Sequence, residues 1–277
     1  MSEPLANKIP WTDCTWNVTT GCTKVSTGCK HCYAERMTKR QVAMGTPKYA
    51  AGFDEVVCHP DELEKPLRWK KPRRIFVNSM SDLFHRDVPS GFILDVFSVM
   101  ERASQHTFQV LTKRPERMVD VLGGTSGAGL SAPALPNIWL GTSGENQAAV
   151  NGRTTHLLRC PAAVRFLSLE PLLGEVNLTR VAHTLRDSPA VVCGTVLGSD
   201  GRMFSPGGAA GTGVDWVIVG GESGPGARPM HPDWVRSIRD QCAAAGVPFF
   251  FKGFGKKKAG DLLDGKRHQE WPEVTNA

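Results

Sequence analysis

Seven short apolar runs, each giving way to polar residues at its C-terminal end, constrain the fold of this 277-residue chain more than any other feature. They occupy residues 15–20, 74–79, 108–113, 137–142, 164–170, 214–220 and 247–252, and each has the length of a strand rather than of a helix. Between several of them the apolar spacing becomes helical. After Pro89 and Ser90, the residues Phe92, Ile93, Val96, Phe97 and Met100 share one helical face, and residues 233–245 form a second such stretch, opened by Pro232 and closed by Gly246. Strands alternating with helices predict parallel βαβ units, and in a parallel barrel the polar strand ends form the reacting face. An open doubly wound sheet would carry a Gly-x-Gly-x-x-Gly turn after an early strand; none occurs, and the glycine-rich residues 220–226 do not match that spacing. The expected fold is α/β, a partial parallel barrel.

The chain is long enough, and at 40% hydrophobic content apolar enough, for one substantial core, and residues 1–277 read as one domain. Residues 123–136 and 199–213, rich in Gly, Ala, Ser and Pro, read as surface insertions. Lys256, Lys257, Lys258 and the polar residues after them read as a loosely held C-terminal tail. No run approaches the roughly 20 apolar residues of a membrane span, and the first residues lack the apolar core of a signal peptide. The expected location is the cytoplasm, where the eight cysteines stay thiols rather than disulfides. The net charge of +6 favours anionic partners, although a surplus of this size also serves solubility alone.

Three of the cysteines crowd into one segment as Cys22-x6-Cys29-x2-Cys32. A closed structural zinc site calls for a second Cys-x-x-Cys or a His pair at finger spacing, and neither follows. A cubane iron–sulfur cluster held by three thiolates keeps one iron open for a small molecule. Two readings remain from the residues themselves: such a cluster, or a zinc knot completed by His31 or a distant His. Cys14 is the only other cysteine near enough in sequence to compete as a ligand; Cys58, Cys160, Cys193 and Cys242 read as bystanders.

The segment resembles the cluster loop of the radical S-adenosylmethionine (SAM) superfamily, whose common motif is Cys-x3-Cys-x2-Cys with an aromatic residue beside the last cysteine. Cys29-x2-Cys32 fits, with His31 before and Tyr33 after the last cysteine, while the first gap holds six residues instead of three. Together with Trp11-Thr12, Thr15-Trp16-Asn17 and Gly28-Cys29, the wider spacing is similar to a phage-associated, three-cysteine-motif radical-SAM-like family, over about residues 11–258. The resemblance implies a partial (β/α)6-type barrel, a [4Fe-4S] cluster on Cys22, Cys29 and Cys32, SAM chelated to its open iron, and an external electron donor. An electron entering the sulfonium would then break a carbon–sulfur bond, giving methionine and a 5′-deoxyadenosyl radical.

A SAM pocket needs partners for the carboxylate, the amine, the ribose and the adenine. The strand ends offer Asn78, Ser79, Ser81 and Asp82, then Lys113 and Arg114, then Thr142 and Ser143, then Glu170, then Glu222 and Ser223. Lys113 or Arg114 suits the carboxylate, Ser79 or Asp82 the amine, and Ser143 or Glu170 the ribose. Thr142 and Tyr33 complete the candidate cofactor contacts. Glu222 lies in a Gly-Gly-Glu sequence like the superfamily's SAM-amine motif, but after a late strand. That position marks it, with Glu170, as a candidate catalytic carboxylate for substrate binding or proton handling. For each of these side chains the competing role is to satisfy loop backbone groups.

Lys65, Arg68, Lys70, Lys71, Arg73 and Arg74 surround Trp69. Such a run is a solvated face by default, or a phosphate-binding surface with a stacking ring. The leading reading is a radical SAM enzyme that modifies a phosphate-bearing substrate such as a nucleobase in DNA or RNA. The alternatives are a zinc-stabilised nucleic-acid-binding protein without catalysis, and a SAM-binding scaffold without turnover.

Overall fold

A computed structural model describes residues 9–123, 135–179, 213–255 and 260–273. The strands are β1 (Cys14–Trp16), β2 (Thr19–Thr20), β3 (Val57–Cys58), β4 (Arg74–Val77), β5 (Thr107–Thr112), β6 (Ile138–Ser143), β7 (Val164–Leu169), β8 (Trp216–Gly220), β9 (Phe249–Gly253), β10 (Leu262–Leu263) and β11 (Lys266–Arg267). The helices are α1 (Tyr33–Ala43), α2 (Ser90–Arg102), α3 (Pro115–Leu122), α4 (Gln147–Leu157) and α5 (Pro232–Ala245). Seven strands form one parallel sheet in the order β1-β4-β5-β6-β7-β8-β9, curled into a half-barrel. Every one of the seven apolar runs supplies one of its strands. The stretches read as surface insertions, 123–136 and 199–213, lie almost wholly outside the described residues.

The first run does not stay in the sheet along its whole length. After Trp16 the chain leaves, and β2 pairs antiparallel with β3 instead. Asn78 drives this departure: in left-handed conformation (φ 59°), it accepts through Oδ1 from Val18 N (2.9 Å) and Thr19 N (3.3 Å). A side chain has replaced the next rung of the ladder.

Alternation along the strands sorts the core into two layers. Outward residues, among them Ile75, Val77, Val110, Leu140, Leu167, Val219 and Phe251, pack with the buried faces of the helices. From α2 this layer takes Ile93, Val96, Phe97, Val99 and Met100, which includes four of the five positions marked by the sequence. Inward residues form a second, aromatic layer of Trp11, Trp139, Val164, Phe166, Trp216, Ile218 and Phe250. Trp216 is its hub, with the rings of Trp139, Phe166, Phe250 and Trp271 at 5.9, 5.8, 6.0 and 4.8 Å. Gly141 makes room for the Phe166 ring, since a Cβ there would stand 2.5 Å from it. Helix α5 begins at Pro232 and stops at Gly246 (φ 67°), the punctuation seen in the sequence.

Lys256, Lys257 and Lys258 lie outside the described residues, but residues 260–273 of the polar C-terminal stretch are held more firmly than their composition suggests. Strands β10 and β11 form a hairpin, and the chain then returns along the free edge of β9. There Phe251 N donates to His268 O (2.8 Å) and Glu270 N to Phe249 O (3.1 Å). Trp216 Nε1 donates to Glu270 O (2.9 Å), and the Arg74 guanidinium lies 3.9 Å from the centre of the Trp271 ring. Unpaired edge groups of β9 thus find partners in the chain itself. No helix among the described residues is long and apolar enough to cross a membrane.

Candidate metal centre at the mouth of the half-barrel

The cysteine segment follows β2 and lies over the C-terminal ends of the sheet strands. Gly21 makes its entry possible: at φ 80° it bridges to Ser81, and a Cβ would sit 1.9 Å from Glu55 O. Cys22 N then donates to Phe53 O (2.7 Å). Cys29 ends a single 3-10 turn, and Cys32 is the residue before α1. Cys22 and Cys32 pack beside Ala34, Phe53 and Met80. Cys29 lies within electrostatic reach of Cys22, and Lys24 within reach of both Cys29 and Cys32. All seven cysteines among the described residues are free thiols. Burial, reinforced by the charge of Asp82 and opposed by Arg114, pushes the Cys22 thiol up to about 11.

Arg114 ties this loop to the barrel from one side. Its Nη1 lies 3.6 Å from Cys22 Sγ and 2.9 Å from Asp82 Oδ2, and its Nη2 donates to Thr23 O (2.9 Å) and Thr23 Oγ1 (3.1 Å). Asp82, buried, also accepts from Thr112 Oγ1 (2.7 Å), Lys113 N (3.1 Å) and Phe84 N (3.0 Å). His85 completes this flank, 2.8 Å from Thr23 Oγ1 through Nε2. Its Nδ1 accepts from Asp87 N, so the neutral ring carries its proton on Nε2.

From the opposite side, buried Glu145 accepts from Gly28 N (3.4 Å) and pairs with Arg153 (2.8 Å). A third contact comes from the loop after β8. Arg36 Nη1 donates to Ser223 O (3.3 Å), and a Cβ on Gly226 would touch the His31 ring at 3.5 Å. Glu222 in this loop is gripped by Arg228 through its backbone N (2.9 Å), Nε (2.9 Å) and Nη2. Those bonds, chiefly from the Arg228 side chain and helped by the nearby His31, hold the Glu222 carboxyl below its ordinary value.

Below the loop, the inward face of the sheet carries a second polar group. Glu170 Oε2 accepts from Lys252 (3.0 Å), while its Oε1 is buried without a partner. Glu170 lies across Gly220, where a Cβ would come within 2.7 Å of Oε1. Ser168, on the same strand face, has a buried hydroxyl without a partner, and Ser143 stands opposite it in register.

The residues singled out by the sequence therefore divide. Arg114 meets Cys22, Glu222 lies beside His31, and Glu170 faces inward with Ser143. The Lys113 amine, half-exposed, makes no hydrogen bond or ion pair among the described residues. Asp82 is fully committed to its four donors, Ser79 donates to Asn17 Oδ1 (3.2 Å), and Thr142 donates to Thr112 O (2.9 Å). Tyr33 is 50% exposed, with Arg36 at 5.9 Å from its ring. The sequence reading missed Glu145, Arg153, Thr23, His85, Ser168 and Arg228, and took Lys252 as a possible extension of the basic run, whereas it pairs with Glu170. Glu145 was within reach of the strand-end argument, two residues beyond Ser143.

The basic run lies at the other end of the sheet, leading into the N-terminus of β4. Arg74 is paired with Asp13 (3.0 Å) and Lys65 with Glu62 (2.6 Å). The Trp69 ring lies 6.0 Å from His106 and 5.8 Å from the Arg73 guanidinium. Arg68, Lys70 and Lys71 remain exposed. Among the described residues, no group of three or more His, Cys, Asp or Glu side chains is gathered closely enough to hold a single metal ion.

Among solved structures, a single mutant of spore photoproduct lyase is similar at 12% identity and a TM-score of 0.47, covering 87% of this chain and 64% of that one. A double mutant of the same lyase with bound AdoMet and dinucleoside spore photoproduct is similar at 13% identity and a TM-score of 0.44, covering 86% and 63%. The chain thus spans less than two thirds of the length of these structures. No curated protein matches it. A family model matches residues 6–272, and the chain belongs to that family, described as Protein of unknown function (DUF5131).

Proposed function

We propose that this chain is a radical SAM enzyme of one domain, in which Cys22, Cys29 and Cys32 hold a [4Fe-4S] cluster and the inward-facing polar residues receive SAM. The observation that carries the reading is the placement of three free thiols on one short loop, strapped across the strand ends by Arg114 and Glu145. The donor set fits the cluster: three soft thiolates on one short segment suit iron–sulfur ligation. When bound, the cluster and SAM together supply one-electron cleavage to methionine and a 5′-deoxyadenosyl radical.

The chain's own residues divide the remaining work. The unengaged amine of Lys113 is the group for the methionyl carboxylate, a role that Arg114 cannot share while Asp82, Thr23 and Cys22 occupy it. Ser168 Oγ and Glu170 Oε1 present hydrogen-bonding capacity toward the interior that the fold leaves unused, and with Ser143 opposite Ser168 in register they suit the hydroxyls of a ribose or the polar edge of a base. Glu222, held ionised by Arg228, serves as a fixed negative charge beside the cysteine loop, not as a proton donor. Aromatic side chains fill the half-barrel below and exclude water from that side.

Anaerobic reconstitution with iron and sulfide, followed by reductant and SAM, tests the proposal. Release of 5′-deoxyadenosine is expected, with iron content largely lost in Cys22→Ala, Cys29→Ala or Cys32→Ala and retained in Cys14→Ala. Stoichiometric zinc in place of iron and sulfide, or reconstituted protein that leaves SAM intact, would overturn it.

A further inference from the structure

The three cysteines of the loop differ in what meets their sulfur. Arg114 Nη1 lies 3.6 Å from Cys22 Sγ, and among the described residues no charged side chain bonds to the sulfur of Cys29 or Cys32. Lys24 comes within electrostatic reach of those two, but its amine is held by Glu35 (2.7 Å). Cys22 stands here as a thiol whose S–H gives to Thr23 O (3.5 Å). As a thiolate it can only accept, and the Arg114 contact then becomes a charge-assisted bond to sulfur.

The guanidinium has little freedom to leave this position. Of the two N–H groups on Nη1, one serves Asp82 Oδ2 (2.9 Å) and the other is free for Cys22, while Nη2 is spent on Thr23 O (2.9 Å) and Thr23 Oγ1 (3.1 Å). Asp82 is fixed in turn by Thr112, Lys113 and Phe84, and Arg114 N is fixed by Thr112 Oγ1 (2.9 Å). The Arg114 side chain is only 14% exposed, so water screens its bonds weakly. A cation placed merely to tie the loop down needs Thr23 and Asp82; the contact to sulfur is additional.

Resting on the proposed function, we infer that Arg114 sets the reduction potential of the centre through an N–H···S bond to Cys22. Hydrogen bonds to the sulfurs are one of the means by which a protein tunes such a potential. An added electron makes the sulfurs more negative, the bond from Arg114 strengthens, and the reduced form gains. The electron comes from an external reductant, and the Arg114 proton stays on nitrogen. Asp82 acts as a positioning residue: its carboxylate cancels the guanidinium charge at a distance and leaves the directed bond as the main effect.

The test is a redox titration of the reconstituted full chain with dithionite, followed by electron paramagnetic resonance. Arg114→Met alone would also leave the Asp82 charge beside the cluster, so the decisive variant joins Arg114→Met to Asp82→Asn and removes both charges together. At a fixed potential well above the parent midpoint, its reduced fraction should be about tenfold lower, a midpoint more negative by about 59 mV for one electron. Lys24→Met removes a nearby charge without a bond to sulfur and should shift the midpoint less. The unaltered chain gives a second readout: with nitrogen-15 in its arginines, the reduced cluster should show a coupling to a guanidinium nitrogen, and Arg114→Lys should abolish it. A clamp with a structural role alone produces neither signal. A cluster-bearing parent without that coupling would overturn the inference and leave the proposed function standing, as would a double variant with the parent midpoint or a Lys24→Met shift of equal size. Zinc in the parent in place of iron would overturn both.

Discussion

Replacing Asp82 with Asn should loosen the cysteine loop from several residues away. Asp82 accepts four hydrogen bonds, Phe84 N and Thr112 Oγ1 on one oxygen and Lys113 N and Arg114 Nη1 on the other. An amide keeps one acceptor oxygen and turns the other position into a donor. Facing Arg114, it sets an N–H against two N–H groups; turned over, it does the same to Phe84 N and disturbs Thr112, whose hydroxyl also receives Arg114 N (2.9 Å). Loss of a charge-assisted bond costs about 1.5–3 kcal/mol, and a buried donor without an acceptor about 1–3 kcal/mol more. The side chains of Arg114 and Asp82 are only 14% and 9% exposed, so solvent restores little, and a total of about 3–5 kcal/mol is expected. Urea unfolding of the chain before reconstitution should show that loss as a lower midpoint at unchanged slope. Iron content after reconstitution should also fall, because Arg114 carries the contacts to Thr23 and Cys22. Asp82→Asn combined with Arg114→Met should cost less than the sum of the two alone, since no unpaired cation then remains. An Asp82→Asn protein within about 1 kcal/mol of the parent, or strictly additive losses, would refute the reasoning.

The other flank answers to Glu145→Gln, which removes the charge opposite Arg153 and weakens the acceptor for Gly28 N. Stability should drop by about 1.5–3 kcal/mol, and iron should be retained less well through gel filtration. Glu222 gives a pH signature: its carboxyl is depressed below 4.5 by the Arg228 bonds, so its contribution is present above that value and is lost as pH falls through the lower, folded one. The urea midpoint of the parent should therefore fall more steeply below about pH 5 than that of Arg228→Met, and parallel curves would be the contrary result. Gly141→Ala puts a methyl 2.5 Å from the Phe166 ring, and calorimetry should show a loss of about 1–3 kcal/mol.

Apolar runs proved a reliable guide to the sheet because a strand buried on both faces has little freedom in composition. Where the run at residues 15–20 parted from the sheet, the cause was Asn78, about 60 residues downstream in sequence, and no local pattern announces such a contact. The strand-end rule named Arg114, Glu170 and Glu222, but not what each meets in the fold. Arg114 read as a ligand for an anion; Asp82 and Thr23 had already taken it. Glu170 read as a carboxylate, but its unpartnered oxygen depends on Lys252 occupying only the other one. The tail looked loose because its side chains are polar, whereas its attachment runs largely through backbone bonds to β9. Likewise, the clustering of cations around Trp69 gave no sign that Arg73 and Arg74 are occupied by aromatic rings.

The attachment of Trp271 sets a schedule for biosynthesis. It lies against Trp216 and Arg74 and completes the floor of the half-barrel, yet 197 positions separate it from Arg74. At about 5–20 residues per second, that interval is about 10–40 s of synthesis. Trp11 and Phe76, whose rings meet at 4.7 Å, must wait through most of it for Trp216, and then for the returning segment that seals it. During that time the newborn chain offers an aromatic slot and an unpaired parallel edge to any chaperone, or any sister chain, that reaches it first.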